Sequence, residues 1–123
     1  MSRILVIDDE PQMRDMLSQT LERAGHEVIE AINGQQGIEF FKKSPTELII
    51  TDLIMPGKDG METIIELKRE FPDVKIIAIS GGSREMDPRD YLLYVTQVGV
   101  ARTLIKPFEP NELLDIIKDI LTN

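Results

Sequence analysis

Cysteine is absent from the chain, which excludes disulfides, thiolate chemistry and any Cys-based zinc site. Histidine occurs once, at His26, so no multi-histidine metal site can be assembled within one copy. Long hydrophobic runs are also missing. The N-terminus reads Met-Ser-Arg-Ile-Leu-Val-Ile-Asp-Asp, and its apolar stretch of four residues is too short for a signal peptide or a membrane span. Positive charge is in deficit: 14 Lys and Arg against 22 Asp and Glu give a net charge of -8. That balance disfavours unaided binding to nucleic acid or an anionic membrane, and it permits cations and basic protein partners. What is present is ordinary for a folded domain. The 123 residues are 41% hydrophobic and 29% charged, enough to bury one core and too apolar for disorder. The expectation is one acidic, soluble domain suited to a reducing, cytoplasmic setting.

Short apolar runs alternate with amphipathic stretches along the whole length. Ile4-Leu5-Val6-Ile7 predicts a strand buried on both faces. Asp8-Asp9-Glu10-Pro11 predicts a helix start, Met13, Met16, Leu17, Thr20, Leu21 and Ala24 follow at helical spacing, and Gly25 is the stop. Val28 and Ile29, between Glu27 and Glu30, predict a shorter edge strand. A helix from about Gln35 to Lys43 takes Asn33 as its cap. The alternation then repeats. A strand, Leu48-Ile49-Ile50-Thr51, ends at Asp52; a Met55-Pro56-Gly57 turn leads to a helix with Met61, Ile64, Ile65 and Lys68 on one face. The strand Val74–Ile79 precedes a polar, flexible Ser80-Gly81-Gly82-Ser83 stretch and a fourth helix opened by Asp87 and Pro88. Thr103-Leu104-Ile105 is the last strand. The last helix, from about Pro110 to Leu121, places Leu113, Leu114, Ile116, Ile117, Ile120 and Leu121 on one face. There is no internal repeat, low-complexity segment or linker. Five strands alternating with five helices predict an α/β protein with a parallel sheet covered on both sides. The doubly wound order 2-1-3-4-5 is the expected solution, with its switch point between strands one and three.

Ligands of open α/β sheets bind beyond the carboxyl ends of the strands, at that switch point. The first strand delivers Asp8 and Asp9 there, the third Asp52, the fourth Ser80 and the fifth Lys106. Three carboxylates in one crevice repel one another and need protons or a cation. All-oxygen donors without His or Cys favour magnesium, manganese or calcium, and magnesium best, since it takes few protein ligands and keeps waters open to a phosphate. Singly, each residue has a plainer explanation: an acidic helix start, a turn aspartate, a loop serine, a solvated lysine. Together, at the exits of four different strands, they point to a phosphate and a metal.

With these motifs in view, the chain resembles the receiver domain of bacterial two-component response regulators over nearly all of its length. The matching motifs are Asp8-Asp9, the run Asp-Leu-Ile-Met-Pro-Gly-Lys-Asp-Gly from Asp52 to Gly60, Ser80 after a β-rich run, and Lys106-Pro107-Phe108. The resemblance implies a flavodoxin-like fold with residues 1–123 as a single receiver domain and no output domain. It implies Asp52 as phosphoacceptor, and magnesium, with manganese as the alternative, held directly by Asp9 and Asp52, by Asp8 through a metal-bound water, and by the backbone carbonyl of Ile54. Ser80 becomes the switch hydroxyl, Lys106 the phosphate-contacting cation, and the Lys106–Pro107 peptide is expected to be cis. By the same resemblance, Ile54 and Gly82 would flank the path of the attacking water and control the phosphoryl lifetime; neither can orient a water through its side chain, which implies a long-lived phosphoryl group. The implied partners are a sensor histidine kinase or phosphotransfer protein and an unidentified downstream protein, with no direct nucleic acid or membrane contact and a monomer or weak dimer. The implied role is a signalling switch that takes part in its own phosphorylation and dephosphorylation, and not an enzyme.

One departure stands out. The family usually places an aromatic three residues before the lysine, and here that switch position is Thr103, so rotation of a buried ring cannot be the readout there. Tyr91 and Tyr94 of the fourth predicted helix are expected in the core, and Leu93 on its exposed face. The output surface is then the fourth predicted helix, fifth strand and last helix. Three rival readings fit the sequence less well. A phosphatase of the haloacid dehalogenase class puts its nucleophile at the end of the first strand with an Asp two residues on, whereas Ile54 sits two after Asp52. A flavodoxin-like mononucleotide binder needs a phosphate cradle where Asp-Asp-Glu-Pro stands. A receiver-shaped module that is never phosphorylated would lack an acid or the lysine.

Overall fold

The computed structural model describes residues 2–53, 60–80, 97 and 99–122. The predicted fourth helix, with Tyr91, Leu93 and Tyr94, lies outside the described residues, as do Ile54 and Gly82. The described elements are β1 (Arg3–Ile7), α1 (Pro11–Arg23), β2 (Glu27–Ala31), α2 (Gly34–Lys43), β3 (Leu48–Asp52), α3 (Gly60–Glu70), β4 (Ile76–Ser80), β5 (Arg102–Ile105) and α4 (Pro110–Thr122). All neighbouring strands are parallel, and their order is β2-β1-β3-β4-β5. This is the doubly wound, flavodoxin-like α/β sheet expected from the alternation.

Burial explains the order. Every residue of β3 and β4 is buried, which the unbroken apolar runs Leu48-Ile49-Ile50 and Ile76-Ile77-Ala78-Ile79 allow. The edges fall to β2 and β5, the strands that carry Glu27, Glu30 and Arg102. Side chains alternate across the sheet with period two. Leu5, Ile7, Ile49, Ile76 and Ala78 face α2 and α3, packing against Ile38, Phe41, Ile64 and Leu67. Ile4, Val6, Ile50, Ile77, Ile79 and Leu104 face α1 and α4, packing against Leu17, Leu21, Leu113, Ile117 and Ile120. Each fully buried Ile or Leu contributes roughly 1.5–3 kcal/mol, so a one-residue slip of any central strand would put its apolar set on the wrong layer.

Helix ends follow local chemistry. Asn33 caps α2 as expected, its Oδ1 accepting the Gln36 N–H at 2.8 Å, while Gln36 Oε1 accepts the Ile32 N–H at 2.8 Å. Gly25, at φ 94°, closes α1 in a left-handed conformation that other residues rarely adopt. Four details differ from the sequence reading. The acids Asp8 and Asp9 precede α1 and do not lie in its first turn; Glu10 is the N-cap residue, without a side-chain cap. Ala24 is the exposed C-cap of α1 and Ser18 takes a buried place instead. The buried face of α3 is Gly60, Thr63, Ile64 and Leu67, with Ile65 and Lys68 only half-buried. Ser80 is the last residue of β4 and not part of the polar stretch that follows.

Candidate functional site

The carboxyl ends of β1, β3, β4 and β5 converge on one crevice. Register fixes it: Ile7 lies beside Thr51, Asp52 beside Ile79, and Ser80 beside Ile105. The strand exits are tied to one another beyond the ladders. The Leu53 N–H donates to the Ile79 carbonyl at 2.9 Å, and the Lys106 N–H to the Ser80 carbonyl at 2.8 Å. The serine and the lysine are therefore coupled through the backbone.

Asp52 is 6% exposed and Asp8 1% exposed, so two carboxylates are buried at the end of an apolar sheet. Unpaired ions in such a place are costly. Asp52 is paired: Lys106 Nζ donates to its Oδ2 at 2.9 Å. Burial works to lower the Lys106 ammonium, but the hydrogen bond and charge of Asp52, with Asp8 and Glu10, outweigh it and hold its pKa above the ordinary lysine value. Asp8 is pushed up from 3.8 to about 6, first by burial, with the charges of Asp52 and Asp9 adding and the Glu10 N–H and Lys106 opposing. The Glu10 N–H donates to Asp8 Oδ1 at 2.9 Å, yet Asp8 Oδ2 is buried with no partner. Ser80 Oγ, on a residue 1% exposed, is likewise buried and unpartnered. Orphaned buried oxygens call for an explanation.

The sequence placed Asp8, Asp9, Asp52, Ser80 and Lys106 at one end of the sheet, and the structure does so. Asp9 differs from its neighbour in being exposed, and among the described residues no three acidic or histidine side chains are gathered closely enough to make a finished metal site. Lys106 is a direct partner of Asp52. Thr103 is half-buried on β5 beside Ala78. The Lys106–Pro107 peptide is cis, as the resemblance implied.

Two residues that sequence reasoning passed over belong to the site. Gly60 donates its N–H to the Leu53 carbonyl at 3.0 Å, and a Cβ there would overlap the Asp52 carbonyl oxygen and lie 2.5 Å from Leu53 Cα. Only glycine lets α3 start so close to the end of β3. Arg14 donates from Nη1 to the Asp8 carbonyl at 2.9 Å and holds Nε 3.2 Å from Glu30 Oε1. Its signal was a cation in the first turn of a helix, where the macrodipole disfavours positive charge. A cavity of about 450 Å³ lined by Ser2, His26, Leu114 and Lys118 lies at the opposite ends of the strands and has no part in this chemistry. Among the described residues, no helix is long and apolar enough to cross a membrane.

Comparison with known proteins agrees with this geometry. Residues 4–118 match the sequence model of the response regulator receiver domain. The chain is 32% identical over 120 residues to the chemotaxis protein CheY of Bacillus subtilis, covering 97% of each. It is 35% identical over 120 residues to the phosphate regulon transcriptional regulatory protein PhoB of Pseudomonas aeruginosa, covering 96% of this chain and 51% of that one. It thus spans nearly all of the first and about half of the second. The response regulator TrrA of Thermotoga maritima, solved in complex with Mg²⁺–BeF, superimposes with a TM-score of 0.85 at 31% identity over 98% of this chain and 99% of that one. An aspartate–lysine pair and an unpartnered serine at the switch point of a 2-1-3-4-5 sheet, in a sequence that matches along nearly its whole length, leave one assignment: the chain belongs to the response regulator receiver domain family of phosphorelay signal transduction.

Proposed function

We propose that Asp52 accepts a phosphoryl group from a phosphohistidine on a sensor histidine kinase or phosphotransfer protein, and that the modified crevice changes which protein the chain binds. The observation that carries this reading is the Lys106–Asp52 pair at 2.9 Å, buried beside the unpartnered Ser80 hydroxyl. A carboxylate oxygen of Asp52 attacks phosphorus in line. The P–N bond breaks, an O–P bond forms, and the imidazole leaves with the electron pair. Lys106 then follows the negative charge from the carboxylate to a phosphoryl oxygen, which positions and stabilises without covalent chemistry of its own. Water later attacks the acyl phosphate, releasing inorganic phosphate and restoring Asp52.

Asp8, Asp9 and Asp52, with the Ile54 carbonyl, would hold a divalent cation, magnesium for preference and manganese as the alternative. The fit rests on the orphaned Asp8 Oδ2 and on an all-oxygen donor set. When bound, such a cation supplies positive charge to the phosphoryl oxygens and to the crowded carboxylates. The switch follows from charge. A phosphoryl group adds about -1.5 to -2 charge and strong acceptor oxygens, and the buried Ser80 hydroxyl is the donor without a partner. Its movement would be felt at β5 through the Lys106 N–H to Ser80 carbonyl bond. The role is that of a cytoplasmic signalling switch and not of an enzyme acting on other molecules.

Mass spectrometry after incubation with acetyl phosphate and magnesium tests the reading. One added phosphoryl group is expected on the wild type and none on Asp52→Ala. Modification of both proteins alike, or of neither, would refute Asp52 as the acceptor. Loss of magnesium binding in Asp9→Ala tests the exposed acid separately.

A further inference from the structure

Asp8 is gripped on all its polar atoms but one. Its N–H donates to the Ala31 carbonyl at 3.1 Å, its carbonyl accepts from Arg14 Nη1 at 2.9 Å, and its Oδ1 accepts from the Glu10 N–H at 2.9 Å. Only Oδ2 is left without a partner. Arg14 comes from the first turn of α1 and is anchored at its other end by Glu30 of edge strand β2, 3.2 Å from Nε. Glu30 pairs with Val6, two residues before Asp8. One guanidinium thus ties α1, the exit of β1 and β2 into a triangle around the acid pair. Its planar fork can serve two acceptors at fixed angles, which a lysine cannot do.

Arg14 spends its donors on the Asp8 backbone carbonyl and on Glu30, not on the Asp8 carboxylate. With a side chain only 18% exposed, in a helix turn where the macrodipole works against a cation, it has been placed at a cost that a solvent-facing arginine would not meet.

Resting on the cation site proposed above, we propose that Arg14 is a positioning residue for it: by holding the Asp8 carbonyl it fixes the strand exit so that Asp8 Oδ2 is presented to the cation. Outer groups that orient metal ligands typically change affinity by about 10–100-fold when removed. The alternative, an electrostatic role, has the opposite sign, because deleting a positive charge beside an anionic site strengthens cation binding.

The experiment is magnesium titration of the full chain, followed by backbone amide shifts, for wild type, Arg14→Gln, Arg14→Lys and Glu30→Ala. Hydrogen exchange of the Glu10 amide is measured without metal, and far-UV circular dichroism with urea unfolding confirms that each variant is folded. The inference expects about tenfold weaker binding or more in Arg14→Gln, weakening in Arg14→Lys despite its retained charge, and a smaller loss in Glu30→Ala. It also expects faster exchange at Glu10 in all three. Should Arg14→Gln fail to fold, Glu30→Ala and Arg14→Lys carry the test. Unchanged or tighter magnesium binding in the folded variants overturns the inference and leaves the cation site standing. A wild type that does not bind magnesium overturns the site itself, and the inference with it.

Discussion

Replacing Asp8 with Asn isolates the electrostatic cost of the crevice. Asp8 is 1% exposed, and its carboxyl is pushed from 3.8 to about 6. Because the folded pKa lies above the unfolded one, the native state holds the proton more tightly. Ionised Asp8 therefore destabilises the metal-free fold above about pH 6, and this cost is relieved as pH falls through 6 and is gone below 3.8. A shift of this size corresponds to about 3 kcal/mol at neutral pH. Asn keeps Oδ1 to accept the Glu10 N–H, now at 2.9 Å, but puts an amide where the unpartnered Oδ2 sits, which costs about 1 kcal/mol. The net expectation for Asp8→Asn is a gain of about 2 kcal/mol at pH 8 without metal, shrinking to nothing or to a small loss near pH 4. Urea unfolding in EDTA reads this directly, as a rise in midpoint of about 1 M at pH 8 for an ordinary urea slope. Magnesium should then stabilise the wild type by mass action and the variant little. Equal stability at pH 8, or a gain that is as large at pH 4, would refute the electrostatic account of the site.

Four further outcomes are expected. Gly60→Ala should lose about 1–3 kcal/mol by overpacking against the Asp52 and Leu53 backbone, and acetyl phosphate should modify it about tenfold more slowly or worse because Asp52 is displaced; an unchanged rate would show that the contact is absorbed elsewhere. Ser18→Ala should raise the melting temperature by a few degrees, since it removes a buried hydroxyl without a partner from a helix that favours alanine; a lower melting temperature would reveal a hidden partner. Ile54→Asn, two residues after Asp52, should shorten the life of the proposed acyl phosphate, because asparagine can orient a water and isoleucine cannot, read by the loss of the added phosphoryl mass with time; an equal or longer lifetime would refute that reading. Leu93→Asp should weaken binding to a protein partner of the phosphorylated form while leaving phosphorylation of Asp52 intact; unchanged affinity would take Leu93 out of the interface.

Much of this was legible in the sequence, and for a local reason. Continuous runs such as Ile4–Ile7 and Leu48–Ile50 can be satisfied only by strands covered on both faces, and a parallel sheet brings all their carboxyl ends to one side. Residues that immediately follow those runs, Asp8, Asp52, Ser80 and Lys106, are thereby assembled by topology alone. The Asn33 cap and the Gly25 stop were equally readable, because each depends on one residue and its own backbone. What the chain by itself did not reveal depends on distance in space. That Asp9 is exposed beside a buried Asp8 follows from which way successive residues turn once the strand ends. That Lys106 answers Asp52 directly, 54 residues away, and leaves Asp8 Oδ2 and Ser80 Oγ unpartnered, follows from the packing of β5 against β4. That Gly60 must lack a side chain and that Arg14 reaches back across the acid loop to Glu30 follows from how closely α3 and α1 approach the sheet. Patterns of hydrophobicity fix which residues meet at an edge of a sheet; only the folded chain fixes which of their polar atoms find partners and which are left to bind something else.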